Sequence, residues 1–437
     1  MAKQELAFDA GESELSAQKL TSNAAVTSGN SAVVAQNTGA AAALCTDDGK
    51  LPATLERSLG TDEGKMPATK KLTPALDAEE DKFLAEFDEE QAKADAAFGR
   101  KVPVWVVVLL IVLLLACILI SFTLGRYNIS LGDFINCIYL HFTSPTAIES
   151  SLVLERMDRV IFNVRLPRII MVCLVGAALA VAGASYQGMF KNPLVSPDIL
   201  GSSAGASLGA CLALLFNLGN TWVQIGAFVG GILAVSMAVW LNKLVKYDAI
   251  LGLVLGGMLV STLFQSGTSM VKLLADSQDQ LPAITFWLMG SFSSVNTDEL
   301  AFAVPLFLIG FCILLSQSWK LNVLSFGDEE ARAMGVNTRR TRVIVILGST
   351  LLASTSVAVA GIVGYVGLVI PHLARAIVGP NYKTLLPISM FVGASYLLII
   401  DNIARLLGSV EIPIGILTSI LGVPFFIFIF RRNMRGW

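Results

Sequence analysis

Two arginines frame a proline in Arg165-Leu166-Pro167-Arg168, directly before an uncharged apolar stretch at 169–190. A third arginine closes Asp401-Asn402-Ile403-Ala404-Arg405, at the end of another such stretch. A guanidinium offers a planar fork of donors that matches a carboxylate. Placed in hydrocarbon, its charge costs about 2.5–3.5 kcal/mol or more. Arg165, Arg168 and Arg405 are therefore expected at a membrane surface, where they could dock an acidic partner. For Arg405 a simpler role is open, a local pair with Asp401 four residues away on a helix.

Two further constellations suggest mechanics rather than catalysis. Asn192-Pro193-Leu194-Val195-Ser196-Pro197-Asp198 joins two apolar stretches. Its prolines block helix and favour a fixed, extended turn, while Asn192 and Asp198 can bond freed backbone groups or cap the next helix. It reads equally as a tight connection or as a gate on a pathway. The second runs Leu324-Ser325-Phe326-Gly327-Asp328-Glu329-Glu330-Ala331-Arg332-Ala333-Met334-Gly335. Asp328, Glu329 and Glu330 suit a helix N-terminus, Gly327 precedes that helix and Gly335 ends it, and Ala331 and Met334 share one face. A short amphipathic helix seated on a partner is the expectation.

The elements that must hold these residues are membrane spans. The chain has 437 residues, 54% hydrophobic and only 15% charged, with a mean hydropathy of +0.68. Its charge is divided unevenly. Residues 1–99 carry 9 Lys/Arg and 18 Asp/Glu, whereas 100–437 carry 22 and 15. The first part, poor in large apolar residues, is expected to be a disordered acidic tail, with one short helix at 76–98. The second is a polytopic domain. Apolar runs at 104–124, 169–190, 199–218, 222–241, 250–271, 300–318, 343–360, 362–378, 385–400 and 412–430 give about ten transmembrane helices, an all-α fold. The run 281–295 is too short to span and reads as interfacial or re-entrant. The first apolar run starts only near Val104, so no signal peptide is expected. With the N-terminus inside, 15 of the 22 Lys/Arg in 100–437 fall on the inner flanks and 7 outside, so both termini are expected in the cytoplasm of a plasma-membrane protein. Ala180-Val181-Ala182-Gly183 recurs as Ala358-Val359-Ala360-Gly361, each followed ten residues on by a proline, Pro193 or Pro371. That hints at an inverted repeat.

Several function classes are excluded or disfavoured. There is no nucleophile constellation and no GxxxxGK[ST] phosphate loop, so an enzyme is not expected and ATP must be hydrolysed elsewhere. The six cysteines are scattered without metal-ligand spacing and read as small buried hydrophobes. His372 reads as packing. An ion-coupled transporter would want acidic residues deep in the spans, and the ten runs hold none. A non-transporting scaffold would leave the capped inner segment and the outward arginines unexplained.

The order RLPR, GAALAVAGASYQGMFKNPLVSPDILGSSAGA, LSFGDEEARAMGV, GYVGLVIPHLARAIVG and DNIARLLGSVEIPIGILTSILGVPFF resembles the permease subunit of iron–siderophore and cobalamin ABC importers, over about residues 104–437. The resemblance implies ten spans per subunit and a homo- or heterodimeric permease. It implies two cytoplasmic ATP-binding subunits that hold ATP and Mg²⁺, an extracellular substrate-binding protein, and no cofactor, metal or nucleic acid on this chain. It implies docking of the binding protein on Arg165, Arg168 and Arg405, coupling to the ATPase through 324–335, and an inner constriction at Asn192 and Leu194 beside Pro193. The cargo expected is a ferric siderophore or related iron chelate, or else heme or cobalamin. Tyr247-Asp248-Ala249-Ile250 departs from the small hydroxyl residues the family uses at its second constriction, and the long N-terminal tail also departs.

Overall fold

A computed structural model describes residues 102–244, 249–407 and 410–433, apart from positions 126, 128, 145, 147, 149 and 150. The acidic tail, its expected helix at 76–98 and Tyr247-Asp248 lie outside the described residues.

Among the described residues all regular structure is helical. We number the helices α1 (Val104–Thr123), α2 (Leu131–Thr143), α3 (Leu152–Arg159), α4 (Leu166–Phe190), α5 (Ser202–Leu215), α6 (Asn220–Leu244), α7 (Ala249–Leu274), α8 (Gln280–Met289), α9 (Thr297–Ser316), α10 (Ser318–Phe326), α11 (Asp328–Ala333), α12 (Thr338–Ala360), α13 (Val366–Val378), α14 (Tyr382–Leu406) and α15 (Ile414–Asn433). Seven stretches are long and apolar enough to cross a membrane: α1, the α3–α4 unit, α6, α7, α9, α12 and α14. Three of the ten expected spans are shorter apolar helices, Ser202–Leu215, Val366–Val378 and Ile414–Ile427. Asparagine side chains cap three of the long helices. Asn296, Asn337 and Asn381 accept the backbone N–H of Glu299, Arg340 and Lys383 at 3.0, 2.9 and 3.0 Å.

Several boundaries differ from the sequence expectation. The second span begins at Leu152 rather than 169, because α3 runs through a π-helical turn (Val160–Arg165) into α4. The amphipathic α2 has no counterpart in the apolar-run reading. The third span is cut by a 3₁₀ turn, Pro197–Leu200, and by Gly201, whose φ of 84° ends that turn before α5 starts. The break placed near Gly361, by contrast, is found. Gly361, at φ 67°, ends α12, and α13 resumes at Val366. The Ala-Val-Ala-Gly repeat does not extend to local geometry, since Gly183 lies inside α4 and Gly361 outside a helix end.

Helix α4 is the centre of the bundle. Every residue from Val175 to Phe190 is buried, whereas α1 exposes Val108, Val112 and Leu115 along its length. Small residues allow α4 this position. A Cβ on Gly176 would lie 2.3 Å from the Gly393 carbonyl oxygen of α14, and one on Gly183 would lie 1.9 Å from the Gly367 oxygen of α13. The pair α5 and α6 repeats the device. Gly205-x-x-x-Gly209 faces Gly226-x-x-x-Gly230 in antiparallel sense, Gly205 against Gly230 and Gly209 against Gly226. Apolar helices gain nothing from leaving lipid for one another, so close backbone packing through small residues must supply their association.

A methyl group at these crossings meets backbone, which cannot rotate aside. We predict that Gly209→Ala, whose Cβ would sit 1.9 Å from the Gly226 oxygen, destabilises the bundle by about 1–3 kcal/mol. The check is the thermal unfolding midpoint of the purified protein in detergent. Gly132→Ala, with only Ser130 Oγ nearby at 3.8 Å, should leave that midpoint in place.

Candidate functional site

The three arginines meet at one end of the bundle, but they are not exposed. Arg165, Arg168 and Arg405 are 5%, 6% and 8% accessible. Arg168, in the first turn of α4, donates from Nε and Nη2 to Asp401 Oδ1 at 3.1 and 2.8 Å, and from Nη1 to both Glu411 carboxylate oxygens at 3.0 Å. Asp401, wholly buried on α14, also has Arg405 Nε 3.2 Å from its second oxygen. Arg405 Nη2 donates to Ser121 Oγ on α1 at 2.6 Å and to Asn402 Oδ1. Arg165, ending the π-turn, donates to the carbonyl oxygens of Phe122 in the last turn of α1 and of Tyr127 just beyond it.

The surface exposure expected of Arg165, Arg168 and Arg405 is therefore corrected. A charge at the end of a span has two ways to avoid the cost of hydrocarbon, water or an internal partner, and here all three arginines take the internal one. The simpler reading of Arg405, a pair with Asp401, holds. Sequence reasoning missed Glu411 and Ser121. The signal for Glu411 was present, because it is the one charged residue between Leu406 and Ile414, on the side where the arginines gather. Within this cluster three guanidinium groups stand against two carboxylates, so the cluster itself carries one surplus positive charge.

At the other end, the short helix expected between Gly327 and Gly335 is found as α11, Asp328–Ala333. Gly327, at φ 144°, separates α10 from α11, so Leu324 belongs to α10. Ala331 and Met334 do not share a face. Ala331 is fully buried with Leu324, Val323 and Val336, while Met334 is 48% exposed. A six-residue helix followed by a tight turn explains this. Gly335, at φ 78°, reverses the chain, Val336 N–H returns to the Ala331 oxygen at 2.9 Å, and Met334 is left outside. Glu329, Glu330 and Arg332 are exposed. Asp328 ties α11 to the bundle, accepting from Arg342 Nη2 of α12 at 2.7 Å and lying 3.9 Å from Lys191 Nζ at the end of α4.

Lys191 leads directly into the proline turn. Asn192, Pro193 and Leu194 are exposed, and Asn192 Oδ1 accepts the Leu194 N–H at 2.9 Å, the backbone bond the sequence suggested. Asp198 takes the hydroxyl of Ser203 in α5. Burial pushes its carboxyl above the ordinary aspartate range, and the hydroxyls of Ser203 and Ser202 counter this in part. His372 Nδ1 lies 2.9 Å from the Leu368 oxygen one turn back, a packing role. Among the described residues, no group of three or more His, Cys, Asp or Glu could hold a metal.

With this geometry in view, comparison with known proteins is informative. Residues 113–432 match the FecCD transport family. The molybdate import system permease protein MolB of Haemophilus influenzae is 40% identical over 327 residues, covering 75% of this chain and 95% of that protein. The Fe(3+)-citrate import system permease protein YfmE of Bacillus subtilis is 38% identical over 336 residues, covering 75% and 96%. The hemin transport system permease protein HmuU of Yersinia pestis is 37% identical over 287 residues, covering 64% and 85%. A solved inward-facing ABC transporter of the metal-chelate type superposes with a TM-score of 0.66 at 38% identity, covering 75% of this chain and all of its own.

Removing one partner of a buried ion pair leaves the other charge uncompensated, at a cost of about 3–5 kcal/mol. Asp401→Ala removes the carboxylate partner of Arg405 and leaves Arg168 only the partly exposed Glu411, and we predict a large loss of thermal stability in detergent. Glu411→Gln should cost clearly less, because its side chain is 25% exposed and Asp401 still holds Arg168. Equal losses in the two variants would contradict Asp401 as the hub.

Proposed function

This chain belongs to the FecCD transport family and is a multi-pass ABC-transporter permease, and from that premise we propose that it forms the translocation path of an importer for a ferric siderophore or related iron chelate. Relatives named for Fe(3+)-citrate and hemin, and the metal-chelate type of the solved neighbour, support this cargo. Its partners in this reading are a second permease subunit, cytoplasmic ATP-binding subunits and an extracellular substrate-binding protein. Both termini are cytoplasmic, in line with the Lys/Arg bias of the flanks.

The observation that carries the reading is the linkage at Asp328. One carboxylate connects α11, whose outer surface is free, with Arg342 at the start of α12 and with Lys191, the residue before the Asn192-Pro193-Leu194 turn. A movement imposed on α11 by an ATPase would reach the central helix and the proposed inner gate without passing through a flexible segment. At the opposite end, Arg165, Arg168 and Arg405 act on an acidic binding protein through the surplus positive charge of their buried cluster rather than through exposed pairs.

A second cargo has a specific observation behind it. The relative named for molybdate import shares 40% identity with this chain. The deciding experiment is uptake into proteoliposomes containing the permease, its ATPase and its binding protein, supplied in turn with a radioactive ferric siderophore, molybdate, heme and cobalamin. Iron-chelate uptake alone is the expected result, and molybdate uptake alone would replace it with the second reading.

Ala331→Pro places a ring where Ala331 N–H bonds the Gly327 oxygen at 3.1 Å, at a cost of about 3 kcal/mol or more to the helix. We predict that the variant inserts normally and abolishes ATP-driven uptake, by losing the ATPase or by uncoupling it. Asp328→Asn, a milder change, should keep assembly and hydrolysis while lowering uptake. Measuring assembly, hydrolysis and entry separately in reconstituted complexes distinguishes these outcomes, and normal uptake in both variants would refute the coupling role.

A further inference from the structure

At the end of the bundle that carries α11, a cavity of about 340 Å³ opens where α9 gives way to α10 and the chain enters α12. Trp319, Lys320, Asn337, Arg340, Thr341 and Ile344 line it. No carboxylate is among its walls. Lys320 Nζ donates to Gln317 Oε1 at 3.1 Å, and among the described residues neither Lys320 nor Arg340 has an acidic side chain within ion-pair distance. Two uncompensated cations, an amide and a hydroxyl therefore converge on one cavity, a set of groups suited to a phosphate diester.

What adjoins the cavity says what carries that phosphate. Above Trp319, the exposed side chains of α9 run from Ser316 through Cys312, Ile309 and Leu308 to Pro305, apolar beyond the first. Above Arg340 on α12, Val343 and Leu347 are 46% and 62% exposed. α9 and α12 pack against each other, and the exposed apolar side chains of α12 begin one turn from Arg340 and Ile344 in the cavity wall. Trp319, 48% exposed, stands at the junction of apolar and polar surface, where tryptophan is enriched in membrane proteins. A soluble anion would use the cations and leave those surfaces without a role. An acidic protein surface would have no use for the apolar tracks.

We propose that this cavity is a binding site for an anionic phospholipid, its headgroup phosphate between Lys320 and Arg340 and its acyl chains along α9 and α12. Basic pockets between membrane helices bind such headgroups by this chemistry. The site also touches Gly335 and Val336, which end the α11 segment, so a bound lipid would brace the base of that segment. The proposal needs only a membrane-spanning chain, and its failure would leave the transport reading untouched.

The test uses the full chain purified in a non-ionic detergent and titrated with phosphatidylglycerol or phosphatidylcholine, reading the thermal midpoint and the lipid retained in native mass spectrometry. Phosphatidylglycerol should be retained and should raise the midpoint, and phosphatidylcholine should do neither. In Lys320→Gln/Arg340→Gln the same rise should need at least about tenfold more phosphatidylglycerol, the loss of one to two charge-assisted contacts. Lys320→Arg/Arg340→Lys should behave as the parent, which separates lost charge from lost folding. Inorganic phosphate reproducing the full shift would assign the cavity to a free anion and overturn the lipid. Undiminished phosphatidylglycerol response in the Gln pair, or loss of ATPase binding with lipid retention intact, would overturn it as well, the latter in favour of a protein contact.

Discussion

Helices in lipid have no hydrophobic reason to prefer one another, so the architecture rests on how closely α4 can approach its neighbours. At Gly176 and Gly183 the backbones of α14 and α13 come within a distance that no side chain tolerates. That contact gathers dispersion along the full length of the central helix and brings backbone dipoles together where water is absent. The α5–α6 crossing, built from two facing glycine pairs, applies the same constraint one layer further out. The arginine cluster and the proline turn hang from these elements. Arg168 opens α4, Lys191 ends it, and the proline turn leads from it to α5.

A centre so close-packed leaves the ends of the helices as the places where charge can be held. At one end Asp401 serves two arginines, and Glu411 adds a second carboxylate to Arg168, so α1, α4, α14 and the segment before α15 are joined through a single polar cluster. Buried ion pairs of this kind give little net stability and a strict geometry, because any displacement leaves a charge without its partner. At the other end Asp328 joins α11 to two spans with partly exposed groups, an arrangement that permits movement. The rigid cluster and the yielding one lie at opposite ends of the same central helix, which suits a subunit that must hold its shape on one side and respond on the other.

Much of this was legible in residue order. The positions of seven membrane-spanning stretches (apart from the early start of the second), the break at Gly361, the backbone-bonding role of Asn192 and the motifs that led to the family all follow from hydropathy, turn chemistry and spacing, which are local properties. The sequence reading failed where two distant segments decide an outcome. Exposure was assigned to the arginines because a single span cannot show that Asp401 and Glu411, more than 200 residues away, arrive beside Arg168. Met334 was placed with Ala331 by helical spacing, and the turn at Gly335 separates them.

Composition and pattern by themselves determined that the chain spans a membrane and which segments could act on partners. These depend on transfer energies and backbone preferences that each residue carries with it. The tertiary structure alone decided which charges are neutralised within the chain, which cations around the cavity beside Trp319 lack an acidic partner among the described residues, and which helix is central. Those outcomes depend on distances between residues far apart in the chain, and electrostatic and packing energies fall off within a few ångströms, so no local pattern can encode them.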